Sequence, residues 1–308
     1  MSLRLLVVFF SVLFGLAAPA QAGAAKETAA ASAIPLRGTL YRVDHENRTA
    51  WLFGTVHVGQ PAFYPLEPQV MQALHQADAL VVETDIRDLA ALQGAIAQHA
   101  LYPDADASIA RHLPSADLEQ LKQALAQAGI PFANVQRMKP WMVANLLIVH
   151  AMARAGFPPE QGLEQHFLQI AANERKPVHE LEDAAYALSL FDGMPPAQQQ
   201  AYLRETLREL QDGSGVAKGI AMIQAWRHAD STQLDRLYRS MLDDESVGAR
   251  FTHETLLERR NPQMADGIAK LLQDERRLFV AVGALHLIGE GSIPALLAQR
   301  GYRVTRVY

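Results

Sequence analysis

The sequence contains no cysteine. This absence excludes disulfide bonds, thiol catalysis, thiolate metal ligands and the lipid-modified cysteine of a bacterial lipoprotein. It also contains no block of basic residues, and its formal net charge is −5. Because proteins that bind nucleic acids carry clustered positive charge, we expect no nucleic-acid partner.

The first 22 residues have the pattern of a secretory signal peptide. Arg4 supplies the positive charge, Leu5 to Ala18 is an uncharged apolar run, and Ala20-Gln21-Ala22 is a small-x-small cleavage site. The alternative is an N-terminal membrane anchor, but the run is shorter than the roughly 20 residues that a membrane span needs. We therefore expect export to the periplasm or the medium, with no stable membrane anchor after cleavage. The small, polar residues 23–36 are expected to form a flexible mature N-terminus.

Strand patterns lie at both ends of the remaining chain, and helical patterns fill its middle. The strand patterns cover Gly38 to Val43, Thr49 to Val58, Ala79 to Thr84, Arg277 to Leu287 and Tyr302 to Val307. Helical periods dominate from about residue 87 to 273, interrupted by one short strand at Pro177 to Leu181. We predict a single mixed α/β (α+β) domain over residues 37–308. Its central mixed sheet is built from the N- and C-terminal segments, and a helical insertion covers the C-terminal ends of the strands.

Two histidines and one glutamate lie at the C-terminal ends of predicted strands. His57 ends the motif Gly54-Thr55-Val56-His57, His286 ends Gly283-Ala284-Leu285-His286, and Glu83 follows Val81-Val82. Singly, each side chain is more simply a polar strand-end residue, and Glu83 is also a possible helix cap. Ligands of open α/β sheets bind at the carboxyl ends of the strands, however, and three such side chains meeting there can hold a catalytic metal ion. The glycines, Gly54 and Gly283, would permit close approach of a ligand or another chain segment.

Other polar residues are weaker candidates for the same site. Glu182 follows the predicted strand at residues 177–181 and could reach the site, while the adjacent Asp183 is equally suited to cap a helix. Arg260 could bind a substrate carboxylate or an oxyanion. Asn261 before Pro262 is explained as well by a helix N-cap. Trp141 and Trp226 are expected in the core of the helical insertion.

The motifs of several common enzyme classes are missing. The chain has no HExxH, GxSxG, GxxxxGK[ST] or GxGxxG sequence. These absences argue against a zincin, a serine hydrolase of the nucleophile-elbow type, a P-loop nucleotide-binding protein and a dinucleotide-binding protein.

The sequence resembles the TraB/PrgY/GumN family, which includes the Tiki proteases. The run Trp51-Leu52-Phe53-Gly54-Thr55-Val56-His57-Val58 is similar to the opening motif of that family, and Val282-Gly283-Ala284-Leu285-His286-Leu287 to its second GxxH. Between and after them, similar elements follow in the family's order: Tyr64-Pro65-Leu66, Leu80-Val81-Val82-Glu83-Thr84-Asp85, Met138-Lys139-Pro140-Trp141, Gly162-Leu163-Glu164-Gln165-His166-Phe167, Arg260-Asn261 with Met264, and Gly301-Tyr302. The resemblance covers nearly the whole chain from Gly38 onwards.

The resemblance implies a metal-dependent hydrolase, and most directly a peptidase acting on an exported peptide or protein. Carried over, His57, Glu83 and His286 would hold a manganese, cobalt or zinc ion, with Glu83 also able to act as a general base. Arg260 and Asn261 would be catalytic residues in support, together with Gly54, Gly283 and Glu182.

Two departures from the family pattern stand out. A glutamine that many relatives carry near the position of Ala187 is absent, and so is their membrane anchor. The related fold also occurs in erythromycin-esterase-like hydrolases and in a haem-binding lipoprotein, so two alternatives remain. One is a metal-free esterase-like hydrolase, and the other is a non-catalytic protein that binds a peptide, haem or a polysaccharide.

Overall fold

The structure is a computed structural model that describes residues 35–104 and 106–308. The predicted signal peptide, residues 1–22, and residues 23–34 of the predicted mature N-terminus lie outside the described residues. No helix in the described part of the chain is long and apolar enough to cross a membrane.

One mixed sheet forms the centre of the molecule. Within the described residues it has six strands: Leu40–His45 (β1), Arg48–Thr55 (β2), Ala79–Val82 (β3), Val178–Glu180 (β4), Arg277–Gly283 (β5) and Arg303–Arg306 (β6). Their order across the sheet is β4-β3-β5-β2-β1-β6. Strands β4, β3, β5 and β2 run parallel to one another, whereas β1 pairs antiparallel with β2 and with β6. The predicted mixed sheet, built from both ends of the chain, is therefore confirmed, with β4 added from within the helical insertion.

Helices cover both faces of this sheet. They are Pro68–Gln76 (α1), Leu89–Ala95 (α2), Ser115–Ala128 (α3), Phe132–Val135 (α4), Pro140–Arg154 (α5), Leu163–Glu174 (α6), Ala184–Asp192 (α7), Pro196–Gln211 (α8), Ser214–Arg227 (α9), Ser231–Leu242 (α10), Val247–Arg250 (α11), Arg260–Asp274 (α12) and Ile293–Gln299 (α13). Two π-helical stretches, Ile96–Ala100 and Phe251–Glu258, continue α2 and α11. Short 3₁₀ turns occur at Pro61–Phe63, Ile109–Arg111, Pro159–Gln161 and Ala284–Leu287.

The central strands are apolar on both faces because both faces are buried. Leu52, Val81 and Val280 belong to a core shared with α12 and α13. Their neighbours along the strands, Phe53 and Phe279, belong to the larger core under the helical insertion. Because successive residues of a strand face these two different cores, the β3 and β5 sequences are apolar runs rather than alternating polar and apolar patterns.

The second GxxH segment differs from its prediction. The strand was expected to run through Leu287, but β5 ends at Gly283, and Ala284–Leu287 form a 3₁₀ turn. These four residues, three apolar ones and His286, are all buried, and a short buried segment can adopt either conformation, so the sequence pattern could not distinguish them. The turn matters for the site because it places His286 beyond the strand end rather than within the sheet.

Candidate functional site

The carboxyl ends of the four parallel strands bring the predicted site residues to one edge of the sheet. His57 follows β2, Glu83 follows β3, Glu182 follows β4 and His286 follows β5. The register aligns these ends, since Thr55 of β2 lies opposite Gly283 of β5, and Val82 of β3 lies opposite Ala281. Four segments that are far apart in sequence therefore deliver their first polar side chains to the same place.

Gly283 lies at the centre of this group. A Cβ atom at Gly283 would lie 3.1 Å from Glu83 Oε1 and 3.6 Å from both His57 Nε2 and His286 Cδ2. The missing side chain thus leaves the space on which the three predicted metal ligands converge. Gly54 has a different use, because a Cβ there would lie 3.0 Å from the Ala284 Cα and would push the two GxxH segments apart.

Asn261 fixes the orientation of His286. The Asn261 side-chain amide donates to the Gly291 carbonyl at 2.8 Å, which leaves its oxygen facing His286. His286 Nδ1–H must therefore donate to that oxygen, at 2.6 Å, and the lone pair of Nε2 points into the site. Asn261 is not the helix N-cap that the sequence also allowed, because the Phe251–Glu258 π-helix runs directly into α12 at this point.

Arg260 lies between two glutamates. It donates to Glu83 Oε2 from Nη2 at 2.9 Å and to Glu182 Oε2 from Nε at 2.9 Å, and Nη2 also contacts Glu182 Oε1. Its Nη1 donates to the Leu256 carbonyl of the π-helix at 3.3 Å and lies 3.5 Å from His286 Nε2. With only 1% of the residue exposed, Arg260 is fixed in place and fixes the carboxylate of Glu83 in turn.

His57 is held by a residue that the sequence analysis did not select. Its Nδ1 lies 3.0 Å from Oε1 of Glu164, in the first turn of α6, and Thr55 Oγ1 donates to the same oxygen. Gly162 makes this approach possible, since a Cβ there would lie 2.6 Å from the His57 carbonyl oxygen. The only signal for Glu164 was its place in the Gly162-Leu163-Glu164 element of the family resemblance, and nothing local connects it to His57.

Carboxylates outnumber guanidinium groups in the site. The side chains of Glu83, Glu164 and Glu182 are enclosed with a single arginine, Arg260, and with His57, which adds a second positive charge when it is protonated. Burial alone would lower the pKa of His57, but the charge and hydrogen bond of Glu164 and the charge of Glu83 raise it to about 9. Burial lowers the pKa of His286 to about 4, so His286 is neutral at pH 7. Burial opposes ionisation of Glu83, but its neighbours His286, Arg260 and His57 bring its pKa down to about 2.

The donor chemistry at the site fits a divalent cation. His286 Nε2 lies 3.6 Å from Glu83 Oε1, close to the separation of about 3.4 Å that bonds of roughly 2.1 Å give two tetrahedral ligands. Each histidine has its Nδ1 occupied by an oxygen acceptor, the usual arrangement when Nε2 ligates a metal. Among residues 35–104 and 106–308, no three His, Asp or Glu side chains are gathered closely enough to form a complete ligand set. Glu83 and His286 thus have the separation of two metal ligands, and His57 Nε2 faces the same space without completing the set.

The remaining predicted residues are placed as follows. Glu182 reaches the site through Arg260, and Asp183 caps α7 by accepting from the Tyr186 N–H at 2.6 Å. Trp141 is buried in the insertion as expected. Trp226 is also buried, but its indole N–H extends from the insertion to the Gly54 carbonyl at 2.7 Å. The insertion is therefore attached directly to the first GxxH motif.

Replacing Glu164 with glutamine is expected to lower the pKa of His57 in the metal-free protein. Glutamine keeps the size of the side chain and its acceptor oxygen, but it removes the negative charge that stabilises the imidazolium. NMR titration of the His57 ring would measure the change, with the exposed Glu160→Gln as the matched control. A His57 pKa that stays near 9 in the Glu164→Gln protein would contradict this account of the pair.

Comparison with known proteins identifies related sequences. The model of the TraB/PrgY/gumN family matches residues 39–306. Two curated relatives are the uncharacterized protein YbaP of Shigella flexneri and that of Escherichia coli K12. Each is 26% identical to this chain over 251 residues, which is 82% of this chain and 88% of the relative. No solved structure matches this chain significantly.

Proposed function

This chain belongs to the TraB/PrgY/gumN family, and from that premise and the geometry of its site we propose that it is a metal-dependent hydrolase. We propose further that it is a peptidase, that it is exported by the signal peptide at residues 1–22, and that it acts on a peptide or protein in the periplasm or the medium. The observation that carries the proposal is the convergence of His57, Glu83 and His286 around the space left by Gly283.

The metal ion, manganese, cobalt or zinc, would be held by His57, His286 and Glu83. Imidazole and carboxylate ligands without thiolate suit all three metals. When bound, the ion would lower the pKa of a bound water to near 7 and polarise the carbonyl group to be cleaved. The three enclosed carboxylates would stabilise such a cation, which would take the place of the proton that His57 carries in the metal-free protein.

The protein's own side chains orient the reacting groups. Asn261 keeps the Nε2 lone pair of His286 directed into the site, and Glu164 does the same for the His57 ring. Arg260 fixes one oxygen of Glu83, and the Gly283 N–H donates to the other at 2.5 Å. Glu83 then acts as a ligand or as the general base that accepts a proton from the attacking water. Arg260 Nη1 lies 3.5 Å from His286 Nε2, and we propose that this nitrogen donates a hydrogen bond to the carbonyl oxygen of the substrate.

A metal-free hydrolase is the second candidate. The observation in its favour is the hydrogen-bonded pair of His57 and Glu164, because a histidine oriented by a carboxylate is also the acid–base unit of metal-free hydrolases. This candidate predicts that hydrolysis survives treatment with a chelator. The metal-dependent hydrolase predicts that the same treatment abolishes it.

Metal loading of the mature protein, residues 23–308, tests the proposal. We expect near-stoichiometric manganese, cobalt or zinc by elemental analysis, and loss of that metal in His57→Ala and His286→Ala because each removes one of three ligands. His75→Ala is the matched control, since His75 is an exposed histidine paired with Glu174. The rate at which each protein hydrolyses a peptide library should rise and fall with its metal content.

Two results would contradict the metal-dependent hydrolase. One is a wild-type protein that binds no metal under these conditions. The other is metal content that neither His57→Ala nor His286→Ala reduces. If peptide hydrolysis persisted in either case, the metal-free hydrolase would replace the first proposal.

A further inference from the structure

A small cavity lies directly beside the two histidines. Its volume is about 30 Å³. The two GxxH segments form one side of it and α9 forms the other, and apart from Thr55 and the two histidines every lining side chain is apolar or absent. Its lining includes Thr55, His57 and His286 and, from α9, Gly219, Met222 and Ile223.

Helix α9 forms one wall of the cavity. Gly219, Met222 and Ile223 lie three and four residues apart, so they share one face of that helix. Trp226 continues the same face and donates to the carbonyl of Gly54 in the first GxxH motif. The Gly38 N–H donates to the Trp226 carbonyl at 2.6 Å. These two bonds fix the C-terminal end of α9 above the site, so the distance between Met222 and the histidines is set by the fold.

The size and lining of the cavity limit what can enter it. A water molecule needs about 10–15 Å³ of such volume, so the cavity accommodates roughly two waters or one methyl-sized group. Its apolar walls favour an alkyl group over a polar one. A benzyl or isobutyl side chain would require Met222 or Ile223 to move.

We propose that this cavity receives the side chain on the α-carbon next to the carbonyl group that is cleaved, and that Met222 and Ile223 limit that side chain to a hydrogen or a methyl group. This assignment rests on the proposed function, because it takes His57 and His286 as the reacting centre. For a peptide substrate, the residue that contributes the cleaved carbonyl would be glycine or alanine. Met222 and Ile223 are then specificity-determining residues.

Neutral N-acetyl amino acid amides are suitable probes, since each carries its side chain on the carbon next to a carbonyl group and adds no negative charge to a site that already encloses three carboxylates. The metal-free protein carrying ¹³C-labelled methionine and isoleucine methyl groups would be titrated with the N-acetyl amides of alanine, 2-aminobutyric acid and phenylalanine. The methyl signals of Met222 and Ile223 report directly on the cavity. We expect the alanine amide to bind at least about tenfold more tightly than the phenylalanine amide, since pocket discrimination of one or more carbon groups has this size.

The variants test whether α9 sets the limit. In Met222→Ala, the Ile223 signal should show that the phenylalanine amide binds at least about tenfold more tightly than in the wild type. Met241→Ala is the matched control, because Met241 is a buried methionine of α10 that does not line the cavity. Ile223→Val is a milder second variant, which should admit the 2-aminobutyric acid amide if Met222→Ala fails to fold.

Three results would overturn the assignment: the phenylalanine amide binding as tightly as the alanine amide in the wild type, an order of affinities that Met222→Ala and Ile223→Val leave unchanged, or no response of these signals to any of the three amides. The titration requires neither metal nor turnover. Its outcome is therefore separable from the metal-loading experiment, and either proposal can fail while the other stands.

Discussion

Replacing Glu83 with glutamine is expected to reduce hydrolysis about 10²- to 10⁴-fold while the protein remains folded. Glutamine keeps the shape of the side chain, and its oxygen can still accept from the Gly283 N–H. It cannot take a proton from water, and it is a poorer ligand for a divalent cation. The measurement is kcat/KM on a peptide that the wild type cleaves, with thermal unfolding recorded on the same samples.

Glu180→Gln is the matched control for Glu83→Gln. Glu180 ends β4 at the same edge of the sheet, but it is exposed and bonds the Asp85 N–H rather than Arg260. We expect its kcat/KM to equal that of the wild type. If Glu83→Gln retained full kcat/KM, Glu83 would be neither ligand nor base. If its activity fell only in proportion to its unfolded fraction, the role of Glu83 would be structural.

Replacing Arg260 with methionine is expected to reduce the free energy of unfolding by about 3–5 kcal/mol. Methionine fills much of the volume, but it leaves Glu83 and Glu182 facing each other without the guanidinium that lies between them. Breaking a buried ion pair costs this much because the remaining charge stays out of water and unpaired. Urea unfolding of the metal-free protein gives the measurement.

Arg277→Met shows what an exposed arginine contributes. Arg277 pairs with Asp78 at 2.7 Å, but half of its side chain is exposed, so its loss should reduce the free energy of unfolding far less than the loss of Arg260. Adding Glu182→Gln to Arg260→Met should restore part of the lost stability, because it removes one of the two unpaired carboxylates. Equal losses in Arg260→Met and Arg277→Met would show that the buried arginine does not hold the site together.

The site shares one design with many open α/β sheets, in which residues after parallel strands form the ligand site. Its distinguishing feature is that each of the three predicted metal ligands is oriented by a second side chain. Asn261 orients His286, Glu164 orients His57, and Arg260 fixes Glu83. Because the orientations of these three side chains are already established in the folded protein, binding of a ligand would require little rearrangement of the site.

The sequence by itself determined where the central strands lie, but not each of their ends. The apolar runs of β2, β3 and β5 predicted buried strands because apolar periodicity is a local property of the chain. His57, Glu83 and His286 could be selected for the same reason, as each lies near the C-terminal end of such a run. The mixed sheet with a helical insertion followed from the distribution of strand and helix patterns along the chain.

Only the tertiary structure decided which side chains meet. Thr55 and Glu164 are 109 residues apart, Gly54 and Trp226 are 172 apart, and Glu83 and Arg260 are 177 apart. No periodicity connects positions at such distances, because the contact depends on how whole elements pack rather than on the spacing of residues within one element. The same reason accounts for the cavity under α9 and for the 3₁₀ turn that carries His286, where burial of every residue left the local pattern without a distinguishing period.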